Sequence, residues 1–295
     1  GLFFGLSIAS KWTGFYAGAG LAVIFFWVLS RRIRQGLAAQ KAEGALADRD
    51  VVLTAAQEWP FRTIMTLLSC IVFFVVIPSV IYYVSFIPWF MRTDGGISIK
   101  KVLDASFTMY RYHAKPGFGM DHPYYSPWYE WPLSIKPMWY YAGGTVDGTA
   151  STIFSFGNLV VWWGGLAAVC ATAYTLLKSH LSSPPRRIIR HPEKADMRPA
   201  LLIISFLAQY LPWVPVPRGT YIYHYFTSVP FIILCIALML DKLADHSEKK
   251  ARYAALGIMG LALAFFVAFF PYISGLRVST AWLDAMKWFP SWLYY

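Results

Sequence analysis

The run from Thr63 to Phe86 contains no charged side chain, although the chain carries 26 Lys and Arg and 15 Asp and Glu. A stretch of about 20 apolar residues is what a helix needs to cross the hydrocarbon core of a bilayer. Backbone groups there find no water, so a spanning segment of this length must satisfy them within a helix. Five further apolar runs follow the same rule: Phe15–Ser30, Thr152–Leu177, Pro199–Leu211 (short, and extended towards Val216), Tyr221–Leu240 and Ala254–Ile273. Pro78 marks a kink within the Thr63–Phe86 span. Gly1–Ala9 is apolar but too short to cross, and reads as the tail of a helix. With 57% hydrophobic and 14% charged residues, against about 25% charged in a soluble domain, the fold class is all-α integral membrane, a polytopic helical bundle.

The positive charges set the orientation. They gather after alternate spans: Arg31, Arg32 and Arg34; Lys178, Arg186, Arg187, Arg190, Lys194 and Arg198; Lys242, Lys249, Lys250 and Arg252. The positive-inside rule assigns all three clusters to the cytoplasm. Residues 35–58 then form a cytoplasmic helical connector. The opposite face receives Lys11, a long loop, the 212–220 turn and the C-terminal tail. Four regions result: residues 1–90 (a helix tail, two spans and the connector), 91–150 (the outer loop), 151–275 (four spans) and 276–295 (an outer tail).

The net charge of +11 forms no basic stripe interleaved with aromatics, so nucleic acid is not an expected partner, whereas the lipid bilayer is. Cys70, Cys170 and Cys235 each fall in an apolar span and read as small buried hydrophobes. In the long loop, Ile97–His113 has helical periodicity, with Ile99, Val102, Leu103, Phe107 and Tyr110 on one face. An amphipathic helix lying in the membrane interface is expected.

Downstream of that helix, Asp121–Tyr141 holds five Tyr and three Trp, punctuated by Pro123, Pro127, Pro132 and Pro137. Prolines at that spacing exclude a long helix. So many aromatics suggest an interfacial platform or the wall of a substrate groove. Two cations outside the spans stand out, Lys11 in SKWTG and Arg218 in LPWVPVPRGTYIYHYF, the latter close to His224. Fixed cations at the end of a helix bundle suit a lipid-linked phosphate. His113 and His122 have no second ligand at a metal-binding spacing, so neither a metal nor a cofactor is expected. Mid-span charges, which a transporter would carry, are nearly absent.

Four blocks, in order, resemble the C-terminal half of the protein O-mannosyltransferases. They are LSIASKWTGFYAGAGL (6–21), HPYYSPWYEWPLSIKPMWYY (122–141), GNLVVWWGG (157–165) and YLPWVPVPRGTYIYHYFTSVPF (210–231). The family pattern is similar to H-P-Y-x-S-x-W-x-x-W-P, then G-N-P-x-x-W-W, then an Arg turn ending in H-Y-x-x-x-x-P. Leu159 stands where that pattern has Pro.

The resemblance implies a GT-C fold in a bacterial plasma membrane, or in the endoplasmic reticulum of a eukaryote. It also implies transfer of mannose, with inversion, from a polyprenyl-phosphate donor to Ser or Thr hydroxyls of an acceptor protein. Lys11, Arg218 and His224 would then contact the donor phosphate, while His122, Tyr124, Ser126 and Trp131 would shape the groove for sugar or acceptor. The family's acidic motif lies in a first outer loop, and no carboxylate here matches it. No catalytic residue is therefore assigned within this chain, Asp121 included, and the missing N-terminal half or another transferase subunit becomes an expected partner. Two alternatives stay open: a GT-C transferase of another lipid-linked sugar, and a non-catalytic partner subunit.

Overall fold

The computed structural model describes residues 1–42, 49–93, 95–182 and 196–292. Asp94, residues 43–48 of the 35–58 connector, and the basic residues Arg186, Arg187, Arg190 and Lys194 lie outside them. The chain divides into two compact units, Gly1–Tyr112 and His113–Tyr295.

The first unit is helical. It holds α1 (Leu2–Ser10), α2 (Gly14–Ala42), α3 (Arg49–Ile71), α4 (Ile77–Ser85), α5 (Ile87–Thr93) and α6 (Ile99–His113, whose last residue falls in the second unit). A π-helical turn, Val72–Val76, joins α3 to α4. Pro78 has no N–H to return to the carbonyl four residues back, so the irregularity takes the form of a widened turn just before it. On α1, Gly5 lets the helix lie close to α4, because a Cβ there would come within 2.9 Å of the Pro78 Cα.

The apolar face expected of α6 is present but unevenly covered. Val102 is buried, and Ser106 bonds the Tyr82 hydroxyl at 2.9 Å, whereas Ile99, Leu103, Phe107 and Tyr110 are all exposed. Val102 is the covered edge of that apolar face, and the rest of the face is presented outward.

The second unit joins a four-helix bundle to a small sheet. Its helices are α7 (Leu159–Ser182), α8 (Arg198–Tyr210), α9 (Val229–Ala244) and α10 (Glu248–Ser274). The sheet holds β1 (Met138–Val146), β2 (Thr149–Ser155) and β3 (Val278–Ser279), antiparallel in the order β1-β2-β3. A short helix, α11 (Thr280–Ala285), follows β3.

The third span thus begins at Leu159, not Thr152: Thr152–Ser155 belong to a strand. Asp147 and Gly148 both take positive φ (47° and 70°), the two-residue hairpin turn for which Asp-Gly is suited. That signal lay in the sequence, but the apolar residues after it read as part of a span.

Among the described residues five helices are long and apolar enough to cross a membrane: Gly14–Arg34, Pro60–Thr93, Leu159–Ser179, Ile222–Ala244 and Glu248–Ser274. The 13-residue α8 extends only ~20 Å at 1.5 Å per residue, and falls short of a full crossing by itself. The protein is an integral membrane protein.

Aromatic side chains tie the sheet to the bundle. Phe154 of β2, Phe265, Phe269 and Tyr272 of α10, and Leu283 and Trp292 of the C-terminal segment form one buried cluster. The Tyr272 hydroxyl donates to the Leu283 carbonyl, and Trp292 Nε1 donates to the Ser134 carbonyl at 3.0 Å. Within the bundle, α7 crosses α9 at Gly165. A Cβ there would sit 2.8 Å from the fully buried Ile232 side chain. Helices associating in lipid gain mainly from such close contact. Gly165→Ala is expected to destabilise the protein by about 1–3 kcal/mol, read as a lower thermal midpoint in detergent. Gly257→Ala and Gly260→Ala on α10, where a Cβ meets nothing within 4 Å, should leave the midpoint in place.

Candidate functional site

The N-terminus of α7, the C-terminus of α8, the N-terminus of α9 and the C-terminus of α10 share one end of the second unit's bundle. Two irregular segments meet there. Gly117 N–H donates to the Pro217 carbonyl (2.9 Å), Gly219 N–H to the Phe118 carbonyl (2.8 Å), and Ser126 N–H to the Thr220 carbonyl (3.0 Å). The Thr220 hydroxyl returns a bond to the Ser126 carbonyl at 2.9 Å. The chain at 117–126 is thereby laced to 217–220. Gly219 is required, because a Cβ would collide with the Gly119 carbonyl.

The lacing brings the aromatic loop against the arginine turn. Trp131, on the 3₁₀ turn Trp128–Leu133, is fully buried and donates Nε1–H to Ser126 O (3.0 Å) and Oγ (3.1 Å). Its ring stacks on His224, with centroids 5.8 Å apart and planes at 23°. Trp213 and Tyr223 lie against the same imidazole at 4.1 and 4.4 Å. His224 Nδ1 is 3.1 Å from the Tyr221 backbone N, and accepts from it when the proton is on Nε2.

A second row of rings leads away from His224. Tyr223 stacks on Tyr221 (5.6 Å), Tyr221 meets His122 edge-on (5.3 Å), His122 meets Tyr124 (5.8 Å), and Tyr124 meets Trp139 of β1 (5.7 Å). Two distant sequence blocks thus build one aromatic rail. His122 Nδ1 accepts the Tyr124 N–H at 3.2 Å, which fixes the exposed imidazole. Burial raises the Tyr124 phenol above its ordinary value, so it remains a neutral donor.

Arg218 lies beside this rail, half-buried, with Nη1 donating to the Gly219 carbonyl at 3.0 Å. Among the described residues no carboxylate pairs with it. At the bundle's other end Arg198 contrasts with it, bonding Asp196 at 3.0 Å and Asp241 at 2.6 Å. A guanidinium has five N–H donors in a planar fork, so Arg218 keeps donors for an oxyanion.

The seven sequence-predicted site residues are distributed unevenly. Arg218, His224, His122, Tyr124, Ser126 and Trp131 all belong to the second unit, and Lys11, the residue capping α1, belongs to the first. His122 and Tyr124 present their rings. Ser126, Trp131 and His224 are buried. Sequence reasoning passed over Tyr221, Tyr223, Trp139 and Thr220. The aromatic density of YIYHYF was a signal for the first two; nothing in the sequence paired Thr220 with Ser126.

Glu130, on the same 3₁₀ turn, has its carboxyl held above the usual range by burial, with Lys136 opposing in part. A raised folded-state value means stability is fully present below the unfolded carboxylate value and declines as pH rises through the folded one. Glu130→Gln is therefore expected to raise the thermal midpoint slightly at pH 7–8 and to make no difference near pH 4. Unfolding curves in detergent at both pH values test this.

Comparison with known proteins places this architecture. Residues 98–292 match the family model described as the C-terminal four TMM region of protein-O-mannosyltransferase. The polyprenol-phosphate-mannose–protein mannosyltransferase of Mycolicibacterium smegmatis is 24% identical over 99% of this chain and 57% of its own length. That of Mycobacterium tuberculosis is 25% identical, over 99% of this chain and 56% of its own length. The dolichyl-phosphate-mannose–protein mannosyltransferase 5 of Candida albicans is 24% identical over 61% of the chain. The chain spans a little over half the length of the mycobacterial relatives.

Among solved structures, the Saccharomyces cerevisiae protein O-mannosyltransferase Pmt1-Pmt2 complex bound to the sugar donor aligns with a TM-score of 0.53. It is 17% identical, with 68% of this chain and 27% of that one covered, and the shared fold is of the GT-C type. The arginine turn, the aromatic rail and the four-helix frame beneath them fall within the matched region, and the chain belongs to the protein O-mannosyltransferase family, as its C-terminal membrane region.

Proposed function

We propose that this chain is the donor-binding part of a transferase that moves mannose from a polyprenyl phosphate to Ser or Thr hydroxyls of proteins at the outer or lumenal membrane face. The observation that carries the reading is Arg218: a half-buried guanidinium, without a carboxylate partner among the described residues, at the end of an aromatic rail. An arginine in that setting favours a phosphate, which it can meet with two parallel hydrogen bonds. His224, stacked between Trp131 and its neighbours, would bear on the same phosphate. Lys11 is assigned the same role on its sequence block alone. His122 and Tyr124 would line the groove for sugar or acceptor, with Ser126 and Trp131 holding that wall in place.

In the reaction, the acceptor oxygen attacks the anomeric carbon. The bond from that carbon to the phosphate oxygen breaks, its electron pair leaving with polyprenyl phosphate, and a carboxylate takes the hydroxyl proton. The chemistry asks this chain for cations at the leaving phosphate, where charge develops. The base is assigned to another part of the enzyme, in the portion of the relatives' length that this chain does not span. The positive-inside arrangement of Arg31, Arg32, Arg34, Lys178 and Lys242 supports the outer placement of residues 91–150.

Arg218→Ala in the full-length enzyme is expected to lower transfer at least about 100-fold, with elution volume and thermal midpoint unchanged, and Arg218→Lys to recover part of the loss. Near wild-type transfer by Arg218→Ala would overturn the assignment. Presenting several lipid-linked sugars to the same preparation tests the choice of mannose.

A further inference from the structure

β1 is not a regular strand. Trp139 pairs with Phe154 and Tyr141 with Ile153, so Tyr140 is an extra residue with no partner on β2. Bulges of this kind re-aim one side chain. This one is locked by a single hydroxyl: Thr152 Oγ1 accepts from Trp139 Nε1 (2.8 Å) and donates to the Tyr141 carbonyl (3.1 Å). Thr152 is itself fully buried, and the Trp139 ring stacks on Phe154 at 6.1 Å and 16°. The Trp139 ring and the Tyr141 carbonyl, on either side of Tyr140, are therefore both held to Thr152.

Tyr140 itself is 58% exposed. A large ring so displayed, from a bulge so firmly held, contributes little to packing. Its surroundings are those of the site: Tyr140 and Arg218 both lie near the Tyr223 hydroxyl. Trp139, the residue before it, closes the aromatic rail at Tyr124.

We propose that Tyr140 is a sugar-positioning residue, which stacks on the pyranose of the glycosyl phosphate held at Arg218. The inference rests on the donor-binding reading of Arg218. In a glycosyl phosphate the pyranose is bonded directly to the phosphate, so a phosphate on the guanidinium leaves the sugar within a few ångströms of it. Tyr223 lies near Arg218, and Tyr140 near Tyr223. An aromatic face suits the C–H face of a pyranose, and the phenol adds a donor towards a sugar hydroxyl. Partial burial raises the Tyr140 phenol above its ordinary value, so the donor stays protonated at physiological pH.

The test uses the full-length enzyme with a short-chain polyprenyl-phosphate mannose, an acceptor peptide, and sugar-free polyprenyl phosphate as an inhibitor. Tyr140→Ala should raise the donor KM about tenfold, leave the peptide KM unchanged, and leave inhibition by polyprenyl phosphate unchanged because no sugar is present. Tyr140→Phe should keep most of the donor affinity. Tyr140→Leu, which preserves bulk without a ring, should behave like the alanine variant and guards against loss of folding. An unchanged donor KM, or a rise confined to the peptide KM, overturns the inference while leaving Arg218 in its role. Should Arg218→Ala fail to weaken polyprenyl-phosphate inhibition, the donor-binding reading falls first, and the Tyr140 assignment with it.

Discussion

Hydrocarbon offers the backbone no hydrogen bonds, and this constraint organises the second unit. Within the spans α7, α9 and α10 the chain satisfies its own N–H and C=O groups as regular helix. Every irregular feature is displaced to the ends. The 3₁₀ turns, the bulged hairpin, the left-handed Ser134 (φ 54°) and the Pro- and Gly-rich 211–220 connection all gather where α8 ends and α9 begins. Irregular backbone exposes donors and acceptors, and those groups are used there to fasten one loop to another.

The fastening runs in series. The Trp292 indole holds the Ser134 carbonyl, and Ser291 bonds the Ile135 carbonyl. Ser134 ends the turn that carries Trp131, and Trp131 bonds Ser126 while stacking on His224. Ser126 is laced to Thr220, two residues beyond Arg218. Residues distant in sequence thus fix a short arginine turn without touching its guanidinium. Most of the series is buried, and breaking one bond would leave a buried polar group unpaired, a loss of about 1–3 kcal/mol. The arginine is left at the margin with its donors available.

Much of this was legible in the sequence because it follows from local chemistry. The uncharged run Thr63–Phe86 required a spanning helix, and the prolines of Asp121–Tyr141 excluded one. On α6 periodicity reports that apolar residues recur, not which of them a neighbour covers; Val102 is covered on the side where Ser106 meets Tyr82. The start of the third span failed for a related reason. Thr152–Phe156 is apolar enough for either state, and pairing with Met138–Val146 decided for a strand. Asp147-Gly148 suits a hairpin turn, and the apolar run behind it reads equally as a span.

Composition and the spacing of apolar runs, by themselves, determined that this protein is a membrane-spanning helical bundle with an aromatic, proline-bound loop and a marked arginine turn. Those properties are set by the transfer of side chains and backbone between water and hydrocarbon, which each segment undergoes on its own. Only the tertiary structure decided that Trp131 stacks on His224, that Ser126 and Thr220 lace the loop to the turn, and that a bulge aims Tyr140 outward. The first two pair segments some 90 residues apart and the third arises across one hairpin; all are fixed by shape and by hydrogen-bond geometry. No local pattern in the sequence encodes them.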